Sequence, residues 1–138
     1  MGVIVAFRET EVLGEKQDTL KPDGQGNALG HFLQRVSAVR QLLGLELPIQ
    51  NSLIALDILN SVALAHFQSQ PLSVKGLMSV LPHSLAGLRY HYSRLLNEGW
   101  ILTVQDRDDA RIRWVRPTDR LLASYQTIYR ASQKQGLK

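Results

Sequence analysis

The spacing of apolar residues changes twice between Pro71 and Arg130, and these changes limit the folds available to this 138-residue chain. Apolar residues first recur every three or four positions, as on one side of a helix. They then alternate in two short runs and finally return to the helical spacing. Gly99 and Pro117 stand at the two changes. Because the alternating runs are few and short, we expect a mainly helical fold that carries one small β-hairpin.

The helical part of this block predicts two short helices joined by a tight turn. Ser73 and Ser84 are the expected N-caps, since a serine hydroxyl accepts a hydrogen bond from a backbone N–H in the first turn. Pro82 ends the first helix because it lacks an N–H. The second helix covers about residues 84–98, and Gly99 follows it where a left-handed residue is favoured. This pair predicts a helix–turn–helix unit.

The alternating runs that follow predict a hairpin. Trp100–Val104 and Ile112–Arg116 are β-prone by composition, and the segment between them is heavily charged. Thr118 is the expected cap of a last helix. The order of these elements predicts a winged helix–turn–helix, mainly α with a small β-hairpin wing (α+β).

Two longer helices are predicted ahead of this block. The first, from Ala28 to Leu45, repeats apolar residues along one stripe. The second runs from Asn51, its expected N-cap, to Phe67 and is apolar around most of its circumference, which predicts a central place in the core. Residues 1–27 are predicted to form a flexible arm because their polar, glycine-containing stretch shows no period. Within the arm, Val3–Phe7 fits either a segment packed on its own domain or a strand exchanged with a partner.

The charge of the chain is unevenly distributed. Residues 1–70 carry five basic and seven acidic side chains, whereas residues 71–138 carry eleven basic and five acidic ones. A concentration of arginine in one half is expected of a phosphate-binding surface, although an ordinary solvated surface has the same charge. The chain has no cysteine and therefore no disulfide or thiolate metal site. No apolar run reaches the length of a membrane span, so we expect no membrane partner.

Two segments give the sequence a family resemblance. DRDDARIRWVRPT, residues 106–118, and SRLLNEGWI, residues 93–101, resemble the wing and the end of the recognition helix in the MarR family of bacterial transcription regulators. The resemblance implies a cytoplasmic, nucleoid-associated homodimer that binds double-stranded DNA without a cofactor. It also implies that residues 28–138 form the winged-helix domain with flanking dimerisation helices. Gly87 and His91 inside the second helix, and the short tail after Arg130, depart from the family pattern.

The helix over residues 84–98 is expected to enter the major groove, which is wide enough for an α-helix. Leu88, Tyr92 and Leu95 are predicted to point inward. Arg89 is the candidate for base reading because a guanidinium forms bidentate contacts with guanine. The remaining candidates are Ala86 on the outward face, Tyr90 and Arg94 at a base edge or phosphate, Gly87 in close approach to DNA or as a tolerated weak point, Ser84 with a secondary phosphate contact, and Lys75 at a phosphate.

The wing supplies the second set of candidate residues. Arg111 is expected to enter the minor groove, whose negative potential attracts arginine. Asp109 is expected to pair with Arg111 and to orient it, although the same pair also fits an ordinary exposed ion pair. Arg107 and Arg113 are predicted phosphate contacts, which position a protein without specifying sequence.

Other functional classes fit the sequence less well than DNA binding does. No nucleophile motif, phosphate loop or metal-ligand spacing points to an enzyme or a metal site, and the three aspartates near residue 108 alternate with arginines. A winged-helix module that binds protein, or a non-specific DNA-binding protein, is the alternative function. The family resemblance also implies a small-molecule effector, for which His31, Phe32 and Tyr125 are candidate lining residues, with core packing as the alternative for the two aromatics.

Overall fold

A computed structural model describes residues 24–134 of the chain, with side chains from residue 26. This part contains helices α1 (Gly24–Glu46), α2 (Leu53–Phe67), α3 (Val74–Val80), α4 (Leu85–Asn97) and α5 (Asp119–Lys134), and strands β1 (Ile101–Gln105) and β2 (Arg113–Pro117). The predicted fold class, mainly α with a β-hairpin wing, is confirmed. None of the helices in residues 24–134 combines the length and the apolar character needed to cross a bilayer.

The chain divides into two compact units, residues 1–38 and residues 39–138. In the first unit, α1 begins at Gly24, so residues 24–27 are helical although they were predicted to belong to the arm. Glycine lowers helix propensity by only about 1 kcal/mol per residue, and propensity is a weak prior for where a helix begins. The predicted segment Val3–Phe7 lies outside the described residues.

In the second unit, α2 supplies the centre of the hydrophobic core, as its sequence predicted. Ile58, Leu59 and Val62 of α2 are fully buried. The side chains that pack around them come from every other element of the unit, and the fully buried ones include Leu77, Leu88, Leu95, Ile101 and Leu121. Burying one such side chain contributes about 1.5–3 kcal/mol, so this core fixes the positions of α3, α4 and the hairpin.

Serine hydroxyls cap three helices of the unit. Ser73 Oγ accepts from Gly76 N at 2.9 Å, and Ser84 Oγ accepts from Gly87 N at 3.1 Å, as predicted. The predicted cap of α2 was wrong by one residue: Ser52, and not Asn51, accepts from Ala55 N. Gln50 and Asn51 both adopt left-handed backbone conformations, with φ of 50° and 59°, and this turn delays the start of α2.

The wing is a two-stranded antiparallel hairpin whose register pairs Ile101 with Pro117 and Gln105 with Arg113. Each strand begins one residue later than predicted. A backbone hydrogen bond of 2.9 Å from Val115 N to Leu72 O joins β2 to the segment that precedes α3. The hairpin is therefore fixed directly to the helix–turn–helix.

A short joint connects α4, the hairpin and α5. Gly99 adopts φ of 84° directly after the α4 cap, as the sequence predicted. Thr118 Oγ1 donates to Gly99 O at 2.8 Å and accepts from Leu121 N at 3.3 Å, which confirms Thr118 as the cap of α5. The Arg120 guanidinium lies 3.9 Å from the centre of the Trp100 ring, a favourable cation–π contact.

Candidate nucleic-acid interface

Helix α4 presents a buried face and an exposed face. Leu88, Tyr92 and Leu95 are buried, and the Tyr92 hydroxyl lies 2.9 Å from Thr103 Oγ1 of β1. The exposed side chains are Leu85, Ala86, Arg89, Tyr90, Ser93 and Asn97. These positions recur at the spacing of one helix face. Most of the outward residues predicted for this helix are therefore solvent-accessible together.

The α3–α4 turn is tied to the central helix. His83 Nε2 in the turn lies 2.7 Å from Asp57 Oδ2 of α2, and the imidazole side chain is only 17% exposed. This contact joins residues 26 positions apart in the sequence. It fixes the angle at which α4 leaves the turn and gives His83 a structural role.

Three predicted cationic residues converge on one open cleft. Lys75 of α3, Arg89 of α4 and Arg113 of β2 line a cleft of about 680 Å³ between the helix–turn–helix and the wing. Apolar residues, among them Val74 and Met78, also line the cleft. Because each cation comes from a different element, only the folded chain brings these charges together.

Gly87 lies on the inner side of α4. A Cβ at this position would lie 2.8 Å from Ile54 Cδ1 of α2 and 3.0 Å from Ser84 Oγ. The residues at positions 87 and 89 point to roughly opposite sides of the helix. The glycine therefore allows α4 to pack closely on α2, and the structure supports this packing reason over the predicted approach to DNA.

Arg94 also points inward, contrary to the outward orientation predicted for it. Its side chain is 11% exposed, and Nη2 donates to the carbonyl of Pro48 at 2.9 Å. Nη1 lies 3.4 Å from Glu98 Oε1, whereas Nε is buried without a hydrogen-bond partner. No local pattern predicts this hydrogen bond, because Pro48 is 46 positions away from Arg94.

His91 lies beside Arg94 and adds a second contact between α4 and the start of α2. Its Nε2 lies 3.2 Å from Ser52 Oγ and its Nδ1 lies 3.4 Å from Arg94 Nη2. Burial disfavours the charged imidazolium, and the neighbouring Arg94 charge acts in the same direction, so both lower the pKa of His91 below 6.5. The departure from the family pattern at this position is therefore a polar contact between α4 and the start of α2.

At the wing, Arg111 and Asp109 form a bidentate pair. Arg111 Nε and Nη2 each lie 3.0 Å from an Asp109 carboxylate oxygen, and Arg111 N also donates to Oδ1 at 3.0 Å. These hydrogen bonds lower the pKa of Asp109 and raise that of Arg111, so both groups stay ionised. The Arg111 side chain remains 89% exposed. The pair thus orients a guanidinium while leaving it accessible.

Asp106 organises the tip of the wing, a role that was not predicted from the sequence. Its Oδ1 accepts from Trp114 Nε1 at 2.9 Å, and its Oδ2 accepts from the backbone N–H groups of Asp108 and Asp109 at 3.0 Å each. The Trp114 bond contributes most to lowering the pKa of Asp106. The hydrogen bond that Asp106 accepts from the backbone two residues later is an Asx-turn, which the local sequence could have indicated. The bond to the Trp114 indole could not be foreseen in this way, because Trp114 lies on β2. Arg107 is exposed beside this turn.

The candidate effector residues lie in different units. Phe32 belongs to the first unit and is half exposed, and His31 is exposed. In the second unit, burial raises the pKa of Tyr125, whose hydroxyl donates to Asn60 Oδ1. Tyr125 also lines an apolar groove with Leu64, Phe67, Leu122 and Tyr129. The effector site remains a prediction.

Solved structures of several transcription regulators are similar to this chain in fold. A mutant of MarR from E. coli complexed with operator DNA gives a TM-score of 0.51 at 18% identity, covering 90% of this chain and 76% of that one. The fold is that of the MarR-like regulators. The transcriptional regulator Tm0710 from Thermotoga maritima gives a TM-score of 0.55 at 14% identity, covering 75% of this chain and 67% of that one. The multiple antibiotic resistance repressor MarR gives a TM-score of 0.51 at 18% identity, covering 83% of this chain and 82% of that one.

The similarity lies in the fold and not in the sequence. No protein-family model matches the chain, and no curated protein sequence matches it. The resemblance predicted from the wing and helix motifs is thus confirmed by a MarR-like fold at low sequence identity. In this MarR-like fold, α3 and α4 are the helix–turn–helix and β1 and β2 are the wing.

Proposed function

We propose that the chain is a sequence-specific double-stranded DNA-binding transcriptional regulator without enzymatic activity. The observation that carries the proposal is the cleft in which Lys75, Arg89 and Arg113 converge beside the exposed face of α4. A helix flanked by cations matches the major groove, whose base edges lie between two phosphate backbones. A MarR-like fold and a MarR neighbour complexed with operator DNA support the same function.

In this proposal α4 lies in the major groove. Arg89 is the base-reading residue because its side chain is exposed and a guanidinium can bind both acceptors of guanine. Ala86 and Tyr90 face the same groove, with Tyr90 64% exposed. Lys75 and Arg113 contact phosphates on either side, and Ser84, engaged as a cap, adds at most a secondary contact. Gly87 and Arg94 position the helix and do not touch DNA.

The wing supplies a second contact. Arg111 enters the adjacent minor groove, and Asp109 holds its guanidinium in an orientation fixed before binding. Preorganisation of this kind lowers the entropy that is lost when a long side chain is immobilised. Arg107, exposed at the tip, contacts the phosphate backbone beside it.

The protein acts as a homodimer, with the exposed stripe of α1 as part of the interface. Leu29, Phe32, Leu33 and Val36 are between 38% and 53% exposed in the first unit. Their spacing places them on one helix face, and a two-fold axis would pair this face with itself. A dimer also presents two reading heads to a two-fold symmetric operator on the cytoplasmic nucleoid.

Selection of bound duplexes from a random library, followed by titration at several salt concentrations, tests the proposal. The wild type should enrich a two-fold symmetric sequence. Arg89→Ala should weaken binding to that sequence more than to random DNA, because the lost contact discriminates between bases. Arg130→Ala, which removes an exposed arginine of α5, is the matched control and should change neither affinity by more than about twofold.

Three outcomes would contradict the proposal. Equal losses on selected and random DNA would show that Arg89 contacts phosphate and does not read bases. Binding that does not weaken with salt would argue against a phosphate-contacting interface altogether. A chain that enriches no duplex, but retains a protein partner through the α4 face, would instead be the interaction module considered from the sequence.

A further inference from the structure

Leu85 is an exposed leucine at the start of α4. It is the first residue of α4, and its side chain is 48% exposed, whereas Leu88 and Leu95 of the same helix are fully buried. Its side chain lines the cleft that also holds Lys75, Arg89 and Arg113. Exposed leucines also occur elsewhere on the chain, Leu53 among them, but Leu85 is the one that lies beside the three cations of this cleft, where a ligand held by those cations would contact it.

The spacing of Leu85 and Arg89 matches the stacking of bases. The two residues are four positions apart on one helix face, which is about 6 Å along the helix axis. Successive bases of one strand are about 3.4 Å apart. The tips of these two side chains therefore reach base pairs about two steps apart, provided that α4 follows the groove.

One group that distinguishes the base pairs in the major groove suits a leucine. The other distinguishing groups are hydrogen-bond donors and acceptors, and leucine offers neither. The exception is the C5-methyl group of thymine, an apolar contact for which Leu85 is suited. A phosphate contact is excluded for the same chemical reason, although the surrounding cations bind phosphates on either side.

We propose that Leu85 is a specificity-determining residue that reads a thymine methyl group about two base steps from the guanine bound by Arg89. The inference rests on the proposed DNA-binding function and names part of the sequence that α4 prefers.

Deoxyuridine tests the proposal, because it differs from thymidine only by lacking the methyl group. Each thymine of the selected duplex is replaced in turn, and the affinity of the wild type is measured. In each half-site, one of these single replacements should weaken binding about fourfold, as expected for the loss of one buried methyl group. Leu85→Ala should weaken binding to the thymine duplex and lose this sensitivity, whereas Leu85→Met should retain it.

The matched control is Leu53→Ala, since Leu53 is also the first residue of a serine-capped helix and is 69% exposed. It should keep the full deoxyuridine effect. Wild-type binding that is unchanged by every replacement would overturn the inference while leaving DNA binding intact. An effect that persists in Leu85→Ala would assign the methyl contact to another residue. Failure of the wild type to bind any selected duplex would refute the proposed function itself.

Discussion

Replacing Arg94 with alanine should destabilise the fold without removing a DNA contact. The substitution breaks the 2.9 Å hydrogen bond to the Pro48 carbonyl, which joins α4 to the segment before α2. A hydrogen bond from a charged group contributes about 1.5–3 kcal/mol. The contact to Glu98 at 3.4 Å is an exposed i,i+4 pair that adds about 0.3–0.5 kcal/mol.

One contribution of the Arg94→Ala substitution raises the free energy of unfolding. Arg94 Nε is buried without a partner, and removing an unsatisfied polar group recovers about 1 kcal/mol or more. The net loss in the free energy of unfolding should therefore be about 1–2 kcal/mol. Urea denaturation at a fixed protein concentration measures the loss, since the proposed dimerisation would make stability depend on concentration. The midpoint should fall while the slope stays constant.

The salt dependence of DNA binding distinguishes the structural role of Arg94 from the DNA contact that was predicted from the sequence. A residue that contacts phosphate contributes about 0.9 to the slope of log affinity against log salt. Arg94→Ala should leave that slope unchanged, and Lys75→Ala should reduce it. Unaltered stability together with a reduced slope would refute the tether and restore Arg94 as a phosphate contact.

Two further predictions concern the wing and His91. Arg111→Ala should weaken binding to the selected duplex and leave the circular dichroism spectrum unchanged. Asp109→Asn should cause a smaller loss of affinity, because it frees the Arg111 guanidinium to reorient but keeps its positive charge. If Arg111→Ala unfolds, Arg111 has a structural role instead. Since the pKa of His91 is lowered in the fold, the unfolded chain binds more protons below pH 6.5. Its contribution to stability is complete above that pH and is lost as the pH falls, so His91→Gln should flatten the lower part of the pH–stability curve, and an unchanged curve would contradict this.

Much of the fold follows from local signals in the sequence. The caps at Ser73 and Ser84 and the left-handed Gly99 were predictable because each depends on chemistry within a few residues. The order of helices and strands was predictable from the two changes in apolar spacing. Together these local rules led to the winged-helix arrangement.

The errors at the candidate site arose where distant contacts decide the outcome. Gly87 and Arg94 were assigned to the outer face of α4, but a neighbouring helix and a loop 46 positions away draw them inward. Helical periodicity separates buried apolar residues from the rest, and it gives no direction for glycine or for a long side chain that can bend. The Asp106–Trp114 bond was missed for a similar reason, since it depends on the pairing of the two strands.

The most direct test of the account asks whether α4 and the wing touch one duplex. A photoreactive residue is placed at Tyr90 or at Arg111, with Arg130 as the control position, and each protein is irradiated with the selected duplex. The account predicts cross-links from both test positions within the same half-site, to a major-groove base edge from Tyr90 and to the neighbouring minor groove from Arg111. Cross-links no stronger than those from Arg130 would contradict it.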